Sequence, residues 1–277
     1  MRLSLLVVLT LLAFAGNSLL CRVALRQTSI DPATFTSVRI VSGALALWLI
    51  VRFRDGTPAR EGNVWSAFAL FGYAIAFSFA YTSLPAGTGA LLLFGAVQAT
   101  MIGYGLWTGE RLRVLQIAGL ALAFAGLIVL LLPGLSAPSP LGSALMLGAG
   151  VGWGVYSLLG KRSSGEPTRT TAGNFLRAVP MALAASLAAL PWMRWDGAGA
   201  GYAIASGALT SGVGYAIWYT ALKGLRATQA ATVQLSVPVI AAMGGIVFLG
   251  EHLTLRLAFA AVTILGGIAL VIRSRGR

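Results

Sequence analysis

The sequence predicts an all-α integral membrane protein with ten transmembrane helices in two inverted five-helix repeats. Three observations lead there: the composition, a series of apolar runs long enough to cross a bilayer, and a likeness between the two halves of the chain. Of 277 residues, 57% are hydrophobic and only 10% charged, with a mean hydropathy of +0.85. That leaves too little polar surface to coat a water-soluble globule. The 35 glycines agree, because helices that associate in lipid rely on small residues for close approach. Cys21 is the single cysteine and His252 the single histidine, so an intrachain disulfide and a multi-histidine metal centre are excluded.

A hydrocarbon core of about 30 Å takes about 20 apolar residues of helix. Runs of that length begin near Leu3, Thr34, Val64, Ala86, Leu112, Leu141, Ala172, Gly199, Thr228 and Leu255. The first, behind Arg2, resembles a signal peptide, but it is long enough to cross and nine more runs follow, so it is read as a retained span. The second ends in Arg52-Phe53-Arg54-Asp55-Gly56 and the sixth in Lys161-Arg162-Ser163-Ser164-Gly165. The third and eighth carry aromatic residues every four positions, and the fourth and ninth each lead into a Gly-Glu pair. The fifth and tenth close the two halves. Connections are short and hold nearly all of the charge, which leaves no room for a soluble domain.

The net charge of +13 does not imply a nucleic-acid partner, because Lys and Arg lie between apolar runs rather than along one amphipathic helix. They report topology. With a cytoplasmic N-terminus, 14 of the 20 Lys and Arg residues face the cytoplasm, four face outward (Arg22, Arg26, Arg194, Arg256) and Arg39 and Arg177 fall within spans. The positive-inside rule then places both termini in the cytoplasm.

Shifting the chain by 138 residues lays Gly16 on Gly154, Arg39 on Arg177, Phe77 on Tyr215, and Tyr81-Thr82-Ser83-Leu84 on Tyr219-Thr220-Ala221-Leu222. After a three-residue insertion the shift becomes 141 and lays Gly109-Glu110-Arg111-Leu112 on Gly250-Glu251-His252-Leu253, and Gly126 on Gly267. Residues 1–135 and 136–277 are therefore read as two copies of one five-helix unit. Five is odd, so the second copy enters the membrane from the opposite side. Inverted repeats of this kind mark secondary transporters, with the substrate held near the midplane at the repeat interface.

Two five-helix halves, each ending in an apolar helix, Gly-Glu-x-Leu and a final apolar helix with a late glycine, resemble the drug/metabolite transporter superfamily in its EamA-domain branch. The resemblance covers nearly the whole chain. It implies a secondary exporter of small organic metabolites that works by alternating access at a central cavity. Such a protein is not an enzyme, has no cofactor, and spans the bacterial cytoplasmic membrane many times. Similarity to bacterial exporters of amino acids, aromatic ones included, implies neutral or aromatic amino acids as substrates. Partners are then the substrate and membrane lipid; oligomeric state stays open, and a monomer is compatible with the sequence. One departure stands out: Val97 occupies the position of Pro238, so a helix break is expected only in the second half.

Competing chemistry finds little support. Gly154-Val155-Tyr156-Ser157-Leu158-Leu159-Gly160-Lys161-Arg162 resembles a phosphate-binding loop, but five residues separate its glycines and Arg stands where Ser or Thr would hold magnesium. The glycines from Gly148 to Gly154 lie inside an apolar span with no preceding strand, which suits helix packing better than a dinucleotide. No His-Glu-x-x-His and no paired intramembrane aspartates are present. All seven acids, Asp31, Asp55, Glu61, Glu110, Glu166, Asp196 and Glu251, fall in connections or at helix ends, so no midplane carboxylate is available to carry protons. Glu110 and Glu251 read as turn residues at the start of the following helix, where the dipole favours a carboxylate.

Candidate site residues come from polar and aromatic positions inside spans. Tyr73, Phe77 and Tyr81 recur every four residues in the third span, and Ser211, Tyr215 and Tyr219 repeat that stripe in the eighth, with Trp218 beside them. Tyr81 and Tyr219, near helix ends, also suit an interfacial aromatic belt. Phe77 and Tyr215 are placed closest to the midplane, facing one another, with Asn17, Gln98, Trp153, Tyr156 and Gln234 around them; interhelical hydrogen bonding is the alternative role for the polar members. Arg39 and Arg177 lie about 8 Å into their helices, near enough to the interface to snorkel, or else form symmetry-related contacts for a substrate carboxylate. Two further readings remain open: a lipid or lipid-linked-sugar flippase, which needs a lateral opening, and a membrane subunit without transport activity.

Overall fold

A computed structural model describes residues 2–55, 61–109, 111–134, 137–225 and 233–274. Among these the chain is helical, without strands. The first seven spans are α1 (Arg2–Gln27), α2 (Pro32–Asp55), α3 (Val64–Tyr81), α4 (Ala86–Trp107), α5 (Val114–Leu131), α6 (Pro140–Arg162) and α7 (Pro167–Ala188). A short 3-10 turn, Leu190–Trp192, precedes the eighth, in which α8 (Gly197–Ile204) runs through a π-helical segment (Ala205–Val213) into α9 (Gly214–Leu222). The described part of the ninth ends in α10 (Ser236–Leu249), and α11 (Leu255–Ser274) completes the set.

Helix starts follow from local chemistry. Asn63, Ser139, Glu166 and Asp196 cap α3, α6, α7 and α8, each accepting a hydrogen bond from a backbone N–H of the first turn. Asp31 Oδ1 does the same for α2, accepting from Ala33 and Thr34 N–H at 2.9 Å each. Proline follows the cap in α2, α6 and α7, where its missing N–H costs nothing. The seventh helix therefore begins at Pro167, five residues ahead of the expected Ala172, because Glu166 and Pro167 start it and its first-turn threonines are buried inside the protein.

Seven described helices, α1 to α6 and α11, are each long and apolar enough to cross a membrane. The other spans depart for visible reasons. α7 is 22 residues long but carries Arg169, Asn174 and Arg177, the eighth span is interrupted by the π segment, and α10 keeps only 14 residues. The break expected near Pro238 is present: the chain leaves the helix at Leu235 and resumes at Ser236, while α4 runs unbroken past Val97. Proline cannot donate to the carbonyl four residues back, here that of Gln234.

Packing brings helices of the two halves together. α5 lies along α11, α2 along α7, and α4 along α10; α3 packs on α6 and α7, the eighth span on α1 and α2, α4 on α6, and α10 on α1. Swapping the first five spans for the second five carries this set of pairings onto itself. Glycine permits the closest approach: a Cβ on Gly119 of α5 would stand 2.6 Å from the Gly267 carbonyl of α11. Polar contacts between connections also follow a rule among the described residues. Arg54 pairs with Glu166 and Arg169 with Glu61 at one end of the bundle, whereas Arg22 pairs with Glu251 and Arg194 N–H donates to Asp31 at the other.

Candidate functional site

Arg39 occupies the centre of the bundle. Its side chain is 1% exposed and turned inward, seven residues or about 10 Å into α2, so it does not snorkel to the interface. Its Nε donates to Ser211 Oγ at 3.1 Å, and its Nη2 donates to the Tyr73 hydroxyl at 3.0 Å and the Tyr215 hydroxyl at 3.2 Å. The guanidinium carbon also stands 5.2 Å from the Tyr73 ring centre and 5.0 Å from that of Phe77. Cation–π contacts of this kind are worth about 0.5 to 2 kcal/mol each. The four residues around Arg39 are two pairs under the 138-residue shift, Tyr73 with Ser211 and Phe77 with Tyr215.

Asn17 of α1 closes this arrangement into a ring. Its Nδ2 donates to the Tyr73 hydroxyl at 3.1 Å, while its Oδ1 accepts from Ser206 Oγ at 2.7 Å, Thr210 Oγ1 at 3.3 Å and Ser211 Oγ at 3.4 Å. All three hydroxyls lie on the π-helical segment, a distortion that commonly marks functional positions. Gly207 in that segment abuts the Arg39 carbonyl so closely that a Cβ there would collide with it, which is how α2 comes near enough for Arg39 to reach Ser211. The Tyr73 and Tyr215 hydroxyls lie 3.2 Å apart. It is thus Tyr73, not Phe77, whose side chain meets that of Tyr215 across the centre, because only a phenol offers an oxygen that accepts from both the guanidinium and the Tyr215 hydroxyl.

A ladder of aromatic rings passes through this point. Successive centroids are 4.7 Å apart from Tyr81 to Phe77, 5.3 Å to Tyr73, 5.1 Å to Trp153, 5.5 Å to Tyr156 and 6.1 Å to Tyr219. Phe14, which the sequence reading missed, meets Trp153, Trp218 and Tyr215 edge-on, and Phe175 touches Tyr215. The space left at the centre, between Phe14, Asn17, Tyr73, Phe77, Trp153 and Tyr215, is only about 10 Å³. At the Tyr219 end the ladder enters a cavity of about 310 Å³ walled by Tyr156, Asn174, Trp218, Gln234, Lys161 and Lys223. Toward the other end of the ladder Phe77, Tyr81 and Leu84 are fully buried. Tyr81 is fully buried with its hydroxyl donating to the Ala86 carbonyl, so it is no belt residue. Exposed rings at or near helix ends include Trp65, Trp107, Trp192 and Trp195.

The remaining candidates fall elsewhere. Arg177 does not join Arg39: its Nη1 donates to the carbonyls of Glu61 at 2.8 Å and Gly173 at 2.9 Å. Gln98 lines a separate apolar groove of about 760 Å³ between α4, α5, α6 and α11, and Gln234 lines the open cavity at the break before α10. Glu251 follows Gly250, whose φ is +64°, but its carboxylate serves other helices than its own. It pairs with Arg22 of α1 at 2.9 Å and accepts from Ala86 N–H at the start of α4 at 2.8 Å. Glu110 lies outside the described residues.

Comparison with known proteins gives a consistent set of likenesses. The profile described as "EamA-like transporter family" matches residues 1–132 and again 140–273. An uncharacterized protein of Pseudomonas aeruginosa is 57% identical over 274 residues, covering 98% of this chain and 94% of that protein. The threonine/homoserine exporter RhtA of Salmonella typhimurium is 29% identical over 251 residues, covering 87% of this chain and 80% of the exporter. A crystal structure with 20% identity aligns at a TM-score of 0.69 over 100% of this chain and 99% of the other, which shows a common fold.

Proposed function

The chain belongs to the EamA-like transporter family, and on that footing we propose that it exports neutral or aromatic amino acids and similar metabolites across the cytoplasmic membrane by alternating access. The observation that carries this reading is the network of Asn17, Arg39, Tyr73, Ser211 and Tyr215, drawn from four spans of both halves. It lies between a cavity open at one end of the bundle and the fully buried rings of Phe77 and Tyr81. Residues 1–135 and 136–277 act as the two inverted repeats, and the pairings that survive their exchange support this. The open cavity carries Lys161 and Lys223, which by the positive-inside rule supports an inward-facing form with both termini cytoplasmic. Substrate would enter past Tyr156, Trp218, Tyr219 and Gln234 and settle among Trp153, Phe77 and the central ring, where aromatic faces suit a partly apolar molecule. The likeness to a threonine/homoserine exporter supports an amino-acid cargo.

The test is efflux or counterflow of labelled amino acids in proteoliposomes. Trp153→Ala and Tyr215→Ala should reduce transport at least several-fold at unchanged folded yield, whereas Leu122→Ala, at a position 40% exposed on α5, should leave it nearly intact. Unchanged kinetics in both aromatic variants for every substrate would sink the assignment. The apolar groove beside Gln98 favours a second reading, movement of lipid or lipid-linked sugar, because it lies between helices on the flank of the bundle. It shares no lining residue with the central space. Fluorescent-lipid translocation without amino-acid flux would select that reading, and neither activity would leave a non-transporting membrane subunit.

A further inference from the structure

Resting on the transport reading, we infer that Arg39 is the anchor for a substrate carboxylate, which restricts the cargo to molecules bearing that group. The guanidinium carries a full charge at membrane depth, yet each of its hydrogen-bond partners, Tyr73, Tyr215 and Ser211, is a neutral hydroxyl. Its Nη1 is buried and has no partner. Among the described residues no carboxylate pairs with it. Glu61, Glu166 and Glu251 are held by Arg169, Arg54 and Arg22, while Asp31 and Asp196 cap α2 and α8.

A buried cation without an opposite charge is strongly unfavourable, so such residues persist where an ion or ligand completes them. A carboxylate is the natural complement, because its two oxygens match the planar fork of the guanidinium. Arg39 is also contacted by both members of each matched pair, Tyr73 with Ser211 and Phe77 with Tyr215. It therefore lies where the two halves meet and can keep hold of an anion as they rock past one another. Arg177, its counterpart in the repeat, is tied to backbone carbonyls and leaves the centre to a single charge. A zwitterionic amino acid would set its carboxylate on Arg39 and its ammonium over the rings of Phe77, Trp153 or Tyr215, and the filled site would carry only the ammonium's charge beyond a neutral pair.

The experiment uses the full-length protein with threonine, threoninamide and 1-amino-2-propanol, plus phenylalanine and phenylalaninamide. Proteoliposome flux is measured, and in parallel the thermal stabilisation of the detergent-purified protein by each compound. The anchor predicts kcat/KM at least tenfold higher for the amino acids than for the amides or the amine. That ratio should collapse toward one in Arg39→Gln, and Arg39→Lys, which keeps the charge without the fork, should fall between. If Arg39→Gln does not fold, Arg39→Lys carries the comparison. Equal flux and equal stabilisation by acid and amide overturn the anchor while leaving transport intact. Stabilisation by the acids alone with no flux keeps the anchor and overturns transport. No response to any amino acid overturns both.

Discussion

Removing one oxygen from the centre of this bundle should reveal how its polar ring is held. The Tyr73 hydroxyl accepts hydrogen bonds from Asn17 Nδ2, Arg39 Nη2 and the Tyr215 hydroxyl, whereas that of Tyr215 accepts only from Arg39. An unsatisfied buried donor costs about 1 to 3 kcal/mol, more when charged, and in a domain of 150 to 250 residues each kcal/mol moves the melting point by roughly 2 to 4 °C. Tyr73→Phe removes the acceptor of three donors, Asn17 Nδ2, Arg39 Nη2 and the Tyr215 hydroxyl, against one for Tyr215→Phe, and should lower the detergent melting temperature by several degrees more, with little change in ring packing. Equal melting of the two variants would show that the hydroxyls are met some other way. The residues of this ring were partly legible beforehand, since Asn17, Arg39, Tyr73, Ser211 and Tyr215 all stand out as polar groups inside apolar runs. What periodicity does not convey is direction. Snorkelling and burial are equally consistent with an arginine near a helix end, and the choice depends on hydroxyls contributed by α3 and the π segment, far away in sequence. Ser206 and Thr210 carried the same polar signal and were overlooked, while Phe14 and Phe175 look like ordinary core residues until their neighbours are known.

At the level of helices, three acidic caps tie stability to pH. Partial burial tends to raise the Asp31 carboxyl, but hydrogen bonds from Thr34, Arg194 and Ala33 outweigh it and hold the group below its ordinary value. Glu166 follows the same pattern, with burial opposed by the N–H groups of Arg169 and Thr168 and by Arg54. Asp196 is lowered chiefly by the Gly199 N–H. A carboxyl whose pKa is depressed on folding stabilises the fold fully above its unfolded pKa, near 3.8 for Asp and 4.5 for Glu, and loses that contribution as pH falls through the lower folded value. Thermal melts in detergent should therefore be flat at neutral pH and drop below about pH 4. The variant carrying Asp31→Asn, Glu166→Gln and Asp196→Asn keeps oxygen acceptors at the helix starts but cannot titrate there, so its acid slope should be shallower. An unchanged slope would place acid sensitivity in other groups. Helix existence was readable from apolar runs, and the discontinuity before α10 from Pro238. The start of α7 was not, because its threonines read as a connection until burial against the protein interior is known. Nor was the π segment, since one extra residue per turn leaves no mark on composition.

For the whole molecule, the decisive question is whether the second half is the first turned upside down. Both Gly-Glu pairs begin with a helix-ending glycine of positive φ, +92° at Gly109 and +64° at Gly250. They would lie on one side in a tandem repeat and on opposite sides in an inverted one. The polar contacts bear on the choice. Arg22 reaches Glu251 and Arg194 reaches Asp31, which joins the connections after the first, seventh and ninth spans at one end. Arg54 reaches Glu166 and Arg169 reaches Glu61, which joins those after the second and sixth at the other. Odd connections meet odd and even meet even, as alternating crossing requires. The connection holding Gly109 follows an even number of spans and the one holding Gly250 an odd number, and 14 of the Lys and Arg residues favour the even side as cytoplasmic. In a Cys21→Ser background, single cysteines at Gly109 and Gly250 should therefore react with an impermeant maleimide on opposite faces: the first only in inverted vesicles or broken cells, the second in intact cells. Cys21 itself is fully buried and should remain silent even when present. Labelling of both positions from the same face would overturn the inverted repeat, and with it the argument that two matched aromatic stripes converge on a single central arginine.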